Sequence, residues 1–196
     1  MKKVVLALMV LLFAQASFAM QKGVRLGEGL GFFSGDDKGG VIDEIGSNSA
    51  VTFEMGFPIN DLIVIHPAVG MGFDIYTYEY DDDDDSSVSL LFLRIDMPVM
   101  VQFRVVKGLF FDAGIDLSMN VLSGLLYSYD DDSKFEDDNV DDSTFELGLI
   151  FGVGYRLSFG LGFDIRYIMG LTNELDEASK NDYSQHKIQF GISFVR

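Results

Sequence analysis

Two histidines, His66 and His186, are the chain's only imidazoles, and there is no cysteine. General acid–base or nucleophilic chemistry would have to be built around one of them. The reading of the chain places His66 near one end of its strand and His186 near the opposite end of another, so they cannot share a site. Neither belongs to a Ser-His-Glu grouping with usable spacing. No catalytic residue and no cofactor is therefore expected, and without thiols neither a disulfide nor a thiolate metal centre can form. The acids offer a second chemistry. DDDDDSS (81–87) and DDDSKFEDDNVDD (130–142) cluster oxygen donors that suit Ca²⁺. Asp81, Asp83, Asp85, Asp130 and Asp132 are the candidate ligands. Neither run has the EF-hand spacing with its central glycine, and like-charge repulsion favours a solvated fringe.

A third set of charges is spaced differently. Arg25, Glu54, Asp74, Arg94, Asp96, Arg104, Asp112, Asp116, Glu146, Arg156, Asp164, Arg166 and Lys187 sit singly among apolar residues, always at one parity. In LLFLRIDMPVMVQFRVV (90–106) every odd position from Leu91 to Val105 is apolar, while Arg94, Asp96, Gln102 and Arg104 are even. Period-two alternation over such a length is a β-strand with one greasy face. Eight such strands are expected, at about 22–33, 49–59, 62–80, 87–106, 109–129, 144–158, 160–172 and 184–195.

The connections alternate in length. Tight turns at Asn60-Asp61, Lys107-Gly108 and Phe159-Gly160 alternate with acidic segments. Short turns at one end and longer loops at the other is the layout of an outer-membrane barrel. The competing reading is a soluble, lipocalin-like barrel with the apolar parity inward. Its polar parity would meet water and should be rich in Thr, Lys and Glu; here that parity holds Gly70, Gly72, Gly114, Gly148, Gly152, Gly154, Gly162, Gly170 and Gly191. Glycine packs nothing on a strand's outer face, yet inside a narrow eight-stranded barrel it leaves room for long partners such as Arg94 and Arg166. Arg or Lys on a lipid face would cost roughly 2–4 kcal/mol at the bilayer midplane. The chain therefore reads as all-β: an eight-stranded antiparallel up-and-down transmembrane β-barrel, greasy outside and ion-paired within. Glu28 alone resists, since it shares its parity with Leu26 and Leu30. A bulge or glycine kink between Gly27 and Gly29 is expected to turn it inward.

The N-terminus fits this compartment. MKKVVLALMVLLFAQASFA has a basic start, a short apolar run and a small-residue cleavage pattern, so residues 1–19 read as a secretory signal peptide and 20–196 as one barrel domain. The net charge of −17 becomes −19 when Lys2 and Lys3, the leader's only charged residues, leave. So negative a chain is not expected to bind nucleic acid, and its positive mean hydropathy is compatible with that charge only if charge and grease are segregated.

The chain resembles a known family, the PorT-like outer-membrane β-barrel proteins, an eight-stranded group in the wider OmpA-like class. The resemblance is carried by GVRLGEGLGFFSGD (23–36), IDMPVMVQFR (95–104), FFDAGIDLSMNVLSG (110–124) and FGVGYRLSFGLGFDIRYIMGLTN (151–173). It implies a bacterial outer-membrane location; one member of the family is tied to protein secretion, and most have no assigned activity. The chain departs from the pattern in ending Phe194-Val195-Arg196 rather than on an aromatic, and in having no Trp for the interfacial girdles. The expected function is non-enzymatic: a monomeric structural or surface-interaction protein of the envelope. Its expected partners are outer-membrane lipid and lipopolysaccharide, with divalent cations at the acidic loops. A small porin-like pore or a component of a secretion apparatus is the alternative.

Overall fold

The computed structural model describes residues 20–35, 45–79, 87–129, 132–136, 145–173 and 183–196. Ten strand segments are present: β1 (Gln21–Gly35), β2 (Gly46–Pro58), β3 (Ile63–Glu79), β4 (Ser87–Asp96), β5 (Val99–Val106), β6 (Leu109–Tyr129), β7 (Asp132–Glu136), β8 (Phe145–Arg156), β9 (Leu161–Asn173) and β10 (Tyr183–Val195). They form eight antiparallel staves. Sequential staves pair, and β1 closes the cylinder by pairing β10 from Gly23↔Val195 to Gly35↔Tyr183. No stave of the wall is left with a free edge, which is how a sheet meets its backbone hydrogen-bonding demand in lipid.

The fourth stave is two segments rather than one. Pro98 has no N–H, and its carbonyl accepts from Ala68 N (2.8 Å) without a return bond. Register is unchanged across the gap: Gly70 faces Asp96 and Pro67 faces Val99. The other departure is β7, which pairs with the far end of β6 (Leu125↔Glu136) in a stretch read as part of an acidic loop. It occupies the same edge of β6 that β8 leaves at Met119↔Phe145.

Short turns join β2 to β3, β5 to β6 and β8 to β9, all at one end of the cylinder. Asn60 Oδ1 accepts from the backbone N–H groups of Leu62 and Ile63, both at 2.8 Å, and Gly108 and Gly160 supply the positive φ (85° and 101°) that the other two need. The staves' opposite ends lead into segments outside the described residues.

The packing is inverted relative to a water-soluble protein. Among the described residues nineteen polar or charged side chains are buried against eight hydrophobic ones. Leu26, Leu30, Phe53, Met71, Phe190 and Ile192 are each more than half exposed. A continuous apolar skin of this kind is stable against hydrocarbon and a liability in water.

Glu28 corrects the expectation made for it. The register runs unbroken through Gly27↔Gly191, Glu28↔Phe190 and Gly29↔Gln189, so there is no bulge and the carboxylate faces outward. Ser49 Oγ, on the adjacent stave, donates to it at 3.0 Å. Its partner Phe190 stands four residues from both His186 and Phe194. At about 3.3 Å per residue and a tilt near 40° this is roughly 10 Å of height from each. Glu28 thus lies mid-way up the greasy band. His186 also faces out, stacked between Phe32 (5.4 Å) and Tyr167 (5.9 Å), with Tyr167 Oη 2.9 Å from its Nδ1. These rings form the interfacial patch that Trp supplies elsewhere.

Candidate functional site

The charged parity converges on the barrel axis, where side chains from all eight staves meet in three tiers. In the middle tier Arg25, from β1, grips Asp164 of β9 with two nitrogens, Nε at 2.9 Å and Nη2 at 2.7 Å. Arg166 joins the same carboxylate (3.3 Å) and reaches Glu54 of β2 (2.9 Å) and Asp112 of β6 (3.4 Å). Gln189 and Gln102 complete the tier by hydrogen bonds to Arg25 and Asp112, each at 3.1 Å.

Glycines make that tier possible. A Cβ on Gly27 would lie 2.6 Å from Arg25 Nη1, and one on Gly191 would also strike the Arg25 guanidinium. Likewise a Cβ on Gly72 would fall 2.7 Å from both Arg94 and Asp96, and one on Gly152 would crowd the Arg166 stem. Wall positions without side chains are therefore where the long cations lie.

The tier towards the loop end is rich in carboxylates. Arg94 pairs with Asp74 (2.8 Å) and, more loosely, Asp96 (3.6 Å), while Lys187 also reaches Asp74 (3.3 Å). Gln185 bridges the tier by donating to Asp74 (3.1 Å) and to Tyr76 Oη (2.5 Å) while accepting from Arg94 (3.1 Å). Among the described residues Glu146 takes neutral donors instead of a cation, Asn120 Nδ2 at 2.6 Å and Ser118 Oγ at 3.2 Å. Asp116 is buried with Oδ1 unbonded among the described residues.

The tier at the turn end is cationic. Arg104 and Arg156 have no carboxylate within ion-pair distance among the described residues, although Glu54 and Asp112 lie near enough to attract Arg156. Their hydrogen bonds go to the neutral amides of Gln21 (2.8 Å from Arg104 Nη2) and Gln102 (3.3 Å from Arg156 Nη1). The thirteen residues were expected as a luminal ion-pair network, and among the described residues the contacts are spread unevenly along the axis. The reason is the stagger of the staves, which decides which side chains share a level and which residue parity does not encode.

His66 is buried inside near the turn end and His186 lies outside near the other. Asp81, Asp83, Asp85 and Asp130 lie outside the described residues, and Asp132 opens β7. Among the described residues no three His, Asp or Glu side chains are grouped to hold a metal ion.

The sequence matches the family model "Outer membrane protein beta-barrel domain" over residues 4–195. No curated protein matches it. Among solved structures it is similar to Ail, the attachment invasion locus protein of Yersinia pestis, in complex with the heparin analogue sucrose octasulfate. That likeness has a TM-score of 0.52 at 12% identity, covering 90% of this chain and 99% of Ail. It is also similar to Neisserial surface protein A (TM-score 0.49, 13% identity, 88% and 96% covered). A third similar structure is the outer membrane enzyme PagL (TM-score 0.46, 12% identity, 88% and 98% covered).

Proposed function

The chain belongs to the outer membrane protein β-barrel family and is a bacterial outer-membrane protein, and on that premise we propose that it is a closed, non-enzymatic barrel with a structural or surface-interaction role. The observation that carries this reading is the middle tier, Arg25–Asp164–Arg166 with Glu54 and Asp112. A bidentate guanidinium–carboxylate contact is strong and directional. Here it crosses the axis of a barrel whose bore is only wide enough for side chains. An ion moving along that axis would have to break these contacts and leave buried charges unpaired, which is costly in a poorly hydrated interior. The lumen is thus a plug that ties the staves together.

Planar-bilayer recording tests the reading. No steady current is expected; a steady current abolished by substituting Arg94 or Asp96 would overturn it in favour of a small pore. The other alternative, a part in protein secretion, predicts a secretion partner that co-purifies with the barrel from intact envelope.

The surface role rests on the acidic segments 81–87 and 130–142. The heparin analogue bound by Ail is polyanionic, and these segments have the wrong sign for such a ligand. Divalent cations that bridge them to lipopolysaccharide phosphates suit their charge. Titration with millimolar Ca²⁺ should give heat in the native chain and little in a variant with Asp81, Asp83, Asp85, Asp130 and Asp132 changed to Asn. Equal heats would remove this part of the proposal. The signal peptide over residues 1–19 belongs to the same reading, and N-terminal sequencing of the mature protein should begin at Met20.

A further inference from the structure

The turn end of the lumen opens into a cavity of about 640 Å³ lined by Arg104, Arg156 and Lys107, with Asp61 its single acidic side chain; Arg196 also lines it, its guanidinium offset by its own terminal carboxylate. In a chain of net charge −17 this concentration of cations stands out. The two inner guanidiniums converge on one neutral atom: Gln102 Oε1 lies 3.5 Å from Arg104 Nε and 3.3 Å from Arg156 Nη1. Arg156 is held over the Phe110 ring (5.2 Å to its centroid), and its buried Nε bonds to nothing among the described residues.

Two guanidiniums sharing a single amide oxygen repel each other, and a half-buried position screens that repulsion poorly. Every other luminal arginine meets a carboxylate. An anion between Arg104 and Arg156 would relieve the repulsion and use the idle donors. The guanidinium fork matches tetrahedral phosphate as well as it matches carboxylate. The rim argues for phosphate: Leu62, Val105, Val106 and Phe159 line the same cavity and are all more than half exposed. In outer-membrane barrels the short turns face the periplasm, so this apolar collar would meet the phospholipid headgroups of the inner leaflet.

We propose that the turn-end mouth of the barrel is a phosphate-binding site in which Arg104 and Arg156 clamp the group and Lys107 raises the local potential. The phosphate comes either from the headgroup of an inner-leaflet phospholipid or from a soluble phosphate compound of the periplasm.

The test uses the full chain folded in an uncharged detergent micelle. It is titrated calorimetrically with inorganic phosphate and with dihexanoyl-phosphatidylglycerol. Binding of either ligand is expected, weakened about tenfold or more in R104Q/R156Q and tightened in D61N. Binding of the lipid alone assigns the headgroup, and comparable binding of both assigns the soluble source. Absence of binding to either ligand, or affinities unchanged in the double variant, overturns the proposal. Should R104Q/R156Q not fold, as judged by heat-modifiable gel migration, R104K and D61N decide. The first keeps the charge and loses the fork, so unchanged affinity in both would overturn the site equally.

Discussion

At Gly191 the wall is thin for a reason: Arg25 lies where a side chain would go. G191A is expected to push that guanidinium off Asp164 and to lower unfolding stability in micelles by about 1–3 kcal/mol, read as a shift in the urea midpoint. G191A in an R25A/D164L background removes both clash and charges there, so it should cost much less than in the native chain. An equal loss in both backgrounds would mean that Arg25 does not fill that space. Glu28 makes the opposite test on the outer face, where its carboxylate sits mid-band with Ser49 as its partner. E28L should raise stability by about 1–2 kcal/mol in a bilayer, since a lipid-facing acid is tolerated less well than an apolar residue, though better than Arg or Lys. The outward position of Glu28 follows from its parity with Leu26 and Leu30; what the sequence did not show is what lets it stay there. Two flanking glycines permit a bulge but do not require one, and Ser49 comes from another stave whose register only the closed barrel sets.

Pro98 shows what a single residue does to an element. Its parity pattern is uninterrupted, so the sequence reads one strand over 87–106, yet the ladder breaks between Asp96 and Val99 for want of a donor. Pro67 removes a second N–H from the neighbouring stave β3, where the β2 pairing also skips between Glu54↔Ala68 and Phe57↔Ile65. P98A is expected to restore the rung to Ala68. Hydrogen exchange should show protection at amide 98, and the net stability gain should be small, about 1 kcal/mol or less. The new bond is offset by the unfolded-state freedom that proline withheld. An amide 98 that exchanges freely would mean that the two staves do not meet there. The staves themselves were legible because alternation of Leu, Phe and Val with Gly, Asp and Arg has no other structural solution. The strand β7 was not: DSKFE carries no alternation strong enough to stand out from the acids around it.

Across the molecule the luminal charges are sorted by height. Carboxylates outnumber cations in the loop-end tier, the middle tier is cross-linked, and at the turn end the guanidiniums touch no carboxylate among the described residues. Breaking the middle tier from one side should be severe: D164N leaves Arg25 and Arg166 buried with diminished partners, at a cost of roughly 3–5 kcal/mol. The readout is a lower temperature for the heat-modifiable gel shift. A variant as heat-resistant as the native barrel would mean that the tier is ornamental. Which residues face inward was readable from parity. Which inward charges meet was not, because that depends on how far each stave climbs relative to the next.

That climb gives the bidentate contact between Arg25 and Asp164 a role beyond closing the bore. Sliding one hairpin past its neighbour by two residues would return every leucine to the hydrocarbon and every aspartate to the axis, so the amphipathic pattern alone is blind to the error. The slide would, however, carry Arg25 several ångströms from its acid and strand both. Among barrels of equal strand number but different shear, the salt bridges therefore act as a vernier that favours the one setting in which Arg25 meets Asp164.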